Sequence, residues 1–189
     1  MTTRVLIPSG ALGLNYDQVA LDRGIAMKPD IIAIDGGSTD SGPAYLGRGV
    51  SKYSRASTKI EWRGLMEARA KTGVPLVIGT SGTCGADNAV DWMLDITREI
   101  ATDLRQSLKI AVLRCSQDTA VMSTAFSDGR ITPLPAAPNV TADDFATCTN
   151  IVALAGAEQI AAALETNADI VIAGRTTDTA IIAALPIMR

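Results

Sequence analysis

The sequence of 189 residues has no histidine and few aromatic residues, and both shortages limit what the protein can do. Histidine is the commonest general base and a very common metal ligand, so acid–base chemistry within this chain falls to Asp, Glu, Lys, Cys or Tyr. Aromatic residues make up 4% of the sequence, whereas 47% is hydrophobic. Small and aliphatic residues must therefore fill the core, which favours a parallel α/β protein over an aromatic-rich β-sandwich.

Clustered charge, long apolar runs and paired cysteines are absent as well. The formal net charge is -3, and no cluster of Lys and Arg resembles a nucleic-acid surface. No apolar run reaches the ~20 residues of a membrane span, and the N-terminus lacks the pattern of a signal peptide. The spacing of Cys84, Cys115 and Cys148 is typical neither of a metal site nor of disulfide pairs. We therefore expect a cytoplasmic protein that binds neither nucleic acid nor membrane.

The sequence does contain short apolar runs that alternate with helical patterns. Predicted strands cover residues 5–8, 30–35, 75–79, 108–113 and 169–173. Predicted helices include 15–28 with Asn15 as its cap, 58–71 with Gly73 as its stop, and one from Asp87 or Asn88 to about 106. Residues 36–57 are predicted to be a loop, and 150–155 fit either a strand or a helix.

Short connections between alternating strands and helices require parallel strands and right-handed crossovers. The sequence therefore predicts one domain over residues 1–189, an α/β fold. Its core is expected to be a doubly wound, mostly parallel sheet with helices on both faces, a Rossmann-like three-layer arrangement.

Four of the predicted strands end in loops of similar composition: PSGALG, DGGSTDSG, GTSGTCGAD and GRTTDTA. The carboxyl ends of parallel strands meet at one edge of a sheet, where ligands bind. Glycine N–H groups, hydroxyls and helix N-termini there suit an anionic ligand. The predicted ligand-binding residues are Ser9, Gly10, Gly36, Gly37, Ser38, Thr39, Asp40, Thr80, Ser81, Gly82, Thr83, Gly174, Thr176 and Thr177.

The same loops have a simpler interpretation, because any strand-to-helix turn uses glycine for its dihedral angles and Ser, Thr or Asp as a cap. None of them is a GxGxxG motif or a P-loop, so nucleotide binding has no direct support. Four such loops on one edge still favour a ligand site for the set.

Three charged residues of these loops are candidate catalytic residues. Asp35 and Asp178 are acid–base candidates, and Arg175 could hold a carboxylate or phosphate through two hydrogen bonds. Arg175 could equally form an ion pair with a loop aspartate. No cofactor is expected, although two aspartates from Asp35, Asp40 and Asp178 could bind Mg²⁺.

These aspartates also have a simpler interpretation, in which they accept hydrogen bonds from loop amides. We favour this role over a Mg²⁺ site. Asp87 is interpreted as a helix cap. Cys84 lies near a helix N-terminus, but without histidine a nucleophilic role is disfavoured.

Three long segments, at 21–47, 75–92 and 168–180, resemble the acyclic terpene utilisation (AtuA-like) family. The resemblance implies a catabolic enzyme, or half of one, that acts on a branched carboxylic acid or acyl-CoA. The chemistry could be that of a hydratase, a dehydratase or a lyase. The alternative is a non-catalytic subunit that binds an anionic ligand and needs a partner chain or a further domain.

Members of this family are usually longer than 189 residues. The chain is therefore expected to be an N-terminal portion or a separately encoded half. We expect it to form a homo-oligomer or to bind a partner chain, because the end of the sequence, AIIAALPIM at 180–188, has no polar side chain.

Overall fold

A five-stranded parallel sheet forms the middle layer of the protein. The computed structural model describes residues 2–37 and 42–189. Its strands are β1 (Val5–Leu6), β2 (Ile31–Asp35), β3 (Leu76–Gly79), β4 (Ile110–Leu113), β5 (Ser116–Gln117), β6 (Ile151–Val152) and β7 (Ile170–Ala173). The main sheet has the order β1-β2-β3-β7-β4, and β5 and β6 form a separate antiparallel pair. The predicted parallel sheet is confirmed, and each of its strands falls within a predicted apolar run.

Helices cover both faces of this sheet, as predicted. The helices in the described ranges are α1 (Gln18–Ala26), α2 (Gly42–Arg48), α3 (Arg55–Thr72), α4 (Asp87–Asp103), α5 (Thr119–Ser127), α6 (Ala142–Thr147), α7 (Ala157–Glu165) and α8 (Ala180–Met188). Side chains of α1, α3 and α4 share one core with the sheet, and those of α7 and α8 share the other. No helix in the described part of the chain is both long and apolar enough to cross a membrane.

The first four residues of strand β2 are apolar and buried, because the strand is covered on both faces. Ile32 and Ile34 belong to the core beneath α3 and α4, whereas Ile31 and Ala33 belong to the core beneath α7 and α8. Successive side chains of a strand point to opposite faces, so a strand that is buried on both faces needs apolar residues at every position.

The chain reverses its direction across the sheet after β4. Strands β1, β2 and β3 follow one another, β4 lies two positions farther on, and β7 returns to the position between β3 and β4. Because right-handed crossovers change face when the direction reverses, α7 and α8 lie opposite α1, α3 and α4. The loops that leave β3 and β7 therefore lead to opposite faces, and open α/β sheets bind ligands at such positions.

The start of α1 differs from the prediction. Asp17, not Asn15, is the N-cap, and its Oδ1 atom accepts a hydrogen bond from the N–H of Ala20. Asn15 has φ 65° and Lys28 has φ 53°, so neither residue can continue a right-handed helix.

The middle of the chain also differs in places. Helix α2 lies within the predicted loop, and α3 begins at Arg55 with Ser54 as its cap, although Gly73 ends it as predicted. Asp87 does not cap α4. Its Oδ1 atom instead accepts hydrogen bonds from the N–H groups of Cys115 and Ser116, at 3.1 and 3.0 Å. Residues 150–155 contain a strand, β6.

Candidate functional site

The loops after β2, β3 and β7 are joined at the carboxyl edge of the sheet. The N–H of Gly36 donates to the carbonyl of Gly79 at 2.7 Å, and the N–H of Thr83 donates to that of Gly36 at 3.1 Å. The N–H of Thr80 donates to the carbonyl of Gly174 at 2.8 Å. The parallel register brings these loops together, because it aligns Asp35 with Gly79.

The loop after β1 borders the same edge. The N–H of Leu12 donates to the carbonyl of Asp35 at 2.7 Å, and the hydroxyl of Ser9 donates to the carbonyl of Ala11 at 3.4 Å. Gly10 lies at the open surface, where a Cβ atom on this residue would have no neighbour within 4 Å. Ser38, Thr39 and Asp40 lie outside the described residues.

Glycines allow these loops to pack against one another. A Cβ atom on Gly36 would lie 2.5 Å from the carbonyl oxygen of Thr80, and one on Gly37 would lie 2.3 Å from the Cα of Thr83. A Cβ atom on Gly174 would lie 2.8 Å from the carbonyl oxygen of Gly85. The fold therefore needs these glycines with or without a ligand. Their ligand-binding role stays a prediction.

The loop after β3 carries three buried hydroxyls, of which two have hydrogen-bond partners among the described residues. The Thr80 hydroxyl lies 3.3 Å from that of Thr176, and the Thr83 hydroxyl accepts a hydrogen bond from the N–H of Lys52 at 3.1 Å. The Ser81 hydroxyl is fully enclosed and has no hydrogen-bond partner in the part of the chain that the structure describes. An enclosed hydroxyl without a partner is uncommon and needs an explanation.

The backbone of this loop is strained. Thr80 has φ 46° and Thr83 has φ 73°, although both are β-branched and disfavour positive φ. Gly82 lies between them with φ 61° and packs against Ala89. Strain of this kind persists only where the surrounding structure enforces it, and it is concentrated at functional sites.

Asp35 has an unusual environment at the end of β2. Burial raises the pKa of this half-buried carboxyl to about 6, although a hydrogen bond from the N–H of Gly37, at 3.3 Å, opposes the shift. The negative charge of Asp178 raises the pKa further, and the N–H of Gly36 and the positive charge of Arg175 lower it. The three candidate catalytic residues therefore lie within electrostatic range of one another. Asp178 itself is exposed.

Arg175 is buried, with 9% of its surface exposed. Its carbonyl is fixed by the N–H of Ala155, at 2.9 Å, and by the thiol of Cys115, at 3.4 Å. Its guanidinium forms neither a hydrogen bond nor an ion pair with any residue in the described ranges. The ion pair with a loop aspartate is thus not formed there. None of its nitrogen atoms is among the enclosed polar atoms without a partner in the described ranges, so the guanidinium still reaches solvent at this edge and is open to an anionic ligand.

A comparison with known families agrees with the resemblance seen in the sequence. The family described as acyclic terpene utilisation family protein AtuA matches residues 56–189 of the chain. The protein belongs to the acyclic terpene utilisation family. The match includes the segments at 75–92 and 168–180, and hence Arg175 and Asp178, whereas Asp35 lies before it. A search of curated proteins and a search of solved structures each found no match.

In this family member a pocket of about 300 Å³ lies beside the carboxyl edge. Val50, Ala89 and Trp92 give it apolar walls, and Ser51 and Asn88 supply polar groups. Ser51 and Trp92 also line a second, much smaller cavity, together with Gly36. The sequence does not predict this pocket, because its walls come from two segments about 40 residues apart and carry no local motif.

The described residues contain no group of three Asp, Glu or Cys side chains that could hold a metal ion. Asp40, one of the three aspartates considered for Mg²⁺, is outside those residues. The Mg²⁺ site therefore stays untested.

Proposed function

We propose that this member of the acyclic terpene utilisation family is a catabolic enzyme whose substrate is a branched carboxylic acid or its acyl-CoA thioester. The substrate binds at the carboxyl edge, where the loops after β2, β3 and β7 meet. The observation that carries the proposal is Arg175, a residue only 9% exposed whose guanidinium has no partner among the described residues. A carboxylate or phosphate oxygen would supply the missing acceptors.

Asp35 is the proposed acid–base group. A carboxyl with a pKa of about 6 accepts and returns protons near neutral pH more readily than an ordinary aspartate does. Hydration, dehydration and carbon–carbon lyase steps next to a carbonyl all begin or end with such a proton transfer. Arg175 would stabilise the negative charge that develops on the substrate oxygen. Asp178, which is exposed, is the second acid–base candidate.

The anion site is tested with isovalerate and its neutral isostere isovaleramide as probes. We expect isovalerate to bind the protein more tightly than isovaleramide. Arg175→Gln should weaken isovalerate binding roughly ten- to a hundredfold, since it removes a charge-assisted contact. Binding of isovaleramide should stay the same. Isothermal titration calorimetry measures both affinities.

Arg23→Gln is the matched control, because Arg23 is an exposed arginine in the last turn of α1. This variant should bind isovalerate as the wild type does. Equal affinity for the two probes, or an Arg175→Gln variant that keeps the preference for isovalerate, would show that the proposed anion site is wrong. Thermal unfolding of each variant checks that it is folded.

The second candidate is a non-catalytic subunit that binds an anionic ligand. The hydrogen bonding of the loops favours it, because the hydroxyls of Thr80 and Thr83 and the N–H of Gly36 already have partners within the chain. Uptake of deuterium at the carbon next to the thioester of isovaleryl-CoA, followed by NMR in heavy water, separates the two. The proposed enzyme catalyses this exchange, and a binding subunit does not.

The remaining expectations complete the proposal. The protein acts in the cytoplasm, where a reducing environment keeps Cys84, Cys115 and Cys148 unpaired; all three are free thiols in the structure. It forms a homo-oligomer or binds a partner chain. The end of α8 supports such contacts, because Ile187 is 61% exposed and Met188 is 37% exposed.

A further inference from the structure

Strand β4 has a free edge. Within the described residues it pairs with β7 on one side and with no strand on the other. The carbonyls of Lys109 and Leu113 accept hydrogen bonds from the N–H groups of Asp169 and Gly174. Successive residues of a parallel strand point their backbone N–H and C=O groups to alternate sides of the strand. Ile110 and Val112 therefore turn these groups to the free edge. Such unpaired groups are a template for a further strand.

A groove of about 530 Å³ lies beside this edge, between β4 and α4. Its apolar lining includes Ile110 and Val112 of β4 and Leu94 of α4, and Val112 is 38% exposed. Helix α4 packs over β7, which leaves this face of β4 without a helix of its own. Unpaired backbone groups thus adjoin an apolar groove, as in sites that bind an added β-strand.

The charges of the groove identify the kind of partner. Arg98 and Arg105 line it, and no acidic residue does. Arg105 makes no ion pair with any described residue, and Arg98 reaches only Asp95, at 3.7 Å, with both side chains about two-thirds exposed. An exposed pair of this kind is weak. The groove therefore favours an acidic partner.

A second copy of the chain fits this edge poorly. Its own β4 segment, residues 108–114, carries Lys109 and Arg114 and no acidic residue, so it would bring positive charge to a groove that Arg98 and Arg105 already line.

We propose that the β4 edge binds an extended acidic segment of a partner protein as a sixth strand. An apolar side chain of the segment fills the groove, and carboxylates on either side of it meet Arg98 and Arg105. Arg98 and Arg105 are seven positions apart, and the stretch between them is helical as far as Asp103, so they lie about 10 Å apart along the helix axis. Alternate residues on one face of a strand lie about 7 Å apart, so carboxylates two such steps apart span roughly 13 Å. The long arginine side chains can bridge the difference.

The probe is the fluorescently labelled peptide Glu-Thr-Val-Thr-Glu, which places its valine and both glutamates on one face. Lys-Thr-Val-Thr-Lys is the charge control. We expect the acidic peptide to bind about tenfold or more tightly than the basic one, as measured by fluorescence anisotropy. Arg105→Glu should reduce or reverse this preference.

Two further measurements test strand pairing itself. Val112→Pro removes one outward N–H but no hydrogen bond to β7, so the variant should keep its melting temperature and lose peptide binding. Should it fail to fold, a peptide N-methylated at both threonines tests the same contact on the wild-type protein. The N–H groups of the two threonines lie on one edge of the extended peptide, and those of the valine and the second glutamate lie on the other. We therefore also use a peptide that is N-methylated at the valine and the second glutamate. At least one of the two methylated peptides should fail to bind.

The proposal is overturned if the acidic peptide does not bind or binds no better than the basic one, or if both methylated peptides bind as the parent does. It is also overturned if sedimentation shows a dimer that Val112→Pro converts to a monomer, since a second copy would then occupy the edge.

Discussion

Asp35 is a residue whose charge the fold does not favour. Its pKa in the folded protein is about 6, against an ordinary value of 3.8, because burial outweighs the N–H groups of Gly37 and Gly36 and the charge of Arg175. Residues that are kept at a cost to stability are common at functional sites. This cost can be measured without knowing the substrate.

We predict that Asp35→Asn stabilises the protein at neutral pH. Between about pH 4 and pH 6 the folded state holds a proton on Asp35 that the unfolded state has lost, so this residue makes stability fall as pH rises. Above that window the penalty is complete, on the order of 1–3 kcal/mol. Asparagine carries no charge and avoids it. Urea unfolding of both proteins at pH 4 and pH 7.5 should show the gain only at the higher pH.

The amide oxygen of the asparagine can still accept the hydrogen bond from Gly37, so the loop should keep its shape. A gain of the same size at both pH values would show that Asp35 titrates normally and that its burial has no electrostatic consequence.

At the scale of the elements, the loops after β2 and β3 form one packed unit. Gly37 is buried against Thr83, and the strained backbone of Thr80 and Thr83 is held by hydrogen bonds to Gly174 and Gly36. Shape at this edge therefore depends on close contact between backbones, which glycine allows.

We predict that Gly37→Ala destabilises the protein by about 1–3 kcal/mol, because the new methyl would lie 2.3 Å from the Cα of Thr83 and the backbone must move. Gly47→Ala is the matched control. Gly47 lies in α2 with nothing within 4 Å of its Cβ position, so alanine there should add roughly 0.5–1 kcal/mol through its helix propensity. Chemical denaturation measures both. A neutral Gly37→Ala would mean that the two loops are not packed as described.

At the scale of the whole molecule, Asp169 joins three elements that are far apart in the sequence. It lies just before β7, pairs with Arg69 of α3, and accepts a hydrogen bond from the N–H of Lys109, before β4, at 2.8 Å. The Arg69 side chain is only 17% exposed, and burial lowers its pKa. One carboxylate therefore ties α3 to the amino ends of two neighbouring strands.

We predict that Asp169→Ala costs about 2–4 kcal/mol, because it leaves a mostly buried guanidinium without its partner. The control is Asp128→Ala, which breaks an ion pair with Arg130 in which both side chains are more than half exposed. That change should cost less than about 0.5 kcal/mol. Equal and small losses in thermal unfolding would refute a structural role for Asp169.

Local sequence patterns were enough to predict the strands and most of the helices that carry the site. The buried strands were predictable, because a strand covered on both faces must be continuously apolar. The stripe of α4 was predictable too, since Ala89, Met93, Ile96 and Ile100 recur at helical spacing and are buried. Parallel strands then required that the glycine-rich loops share one edge. The prediction for α1 was wrong because several nearby polar residues can cap a helix, and local sequence does not choose among them.

Strand order and the surroundings of each side chain depend on how the chain packs in three dimensions. That β7 enters between β3 and β4 depends on contacts between distant segments, and no local pattern encodes it. The same is true of Glu61 in α3, which is 8% exposed and holds the first loop through the N–H groups of Gly13 and Asn15. The raised pKa of Asp35, and an Arg175 guanidinium without a partner among the described residues, arise only when segments 140 positions apart meet at one edge of the sheet. Burial is a property of the packed molecule, so the sequence could identify these residues but could not reveal their chemistry.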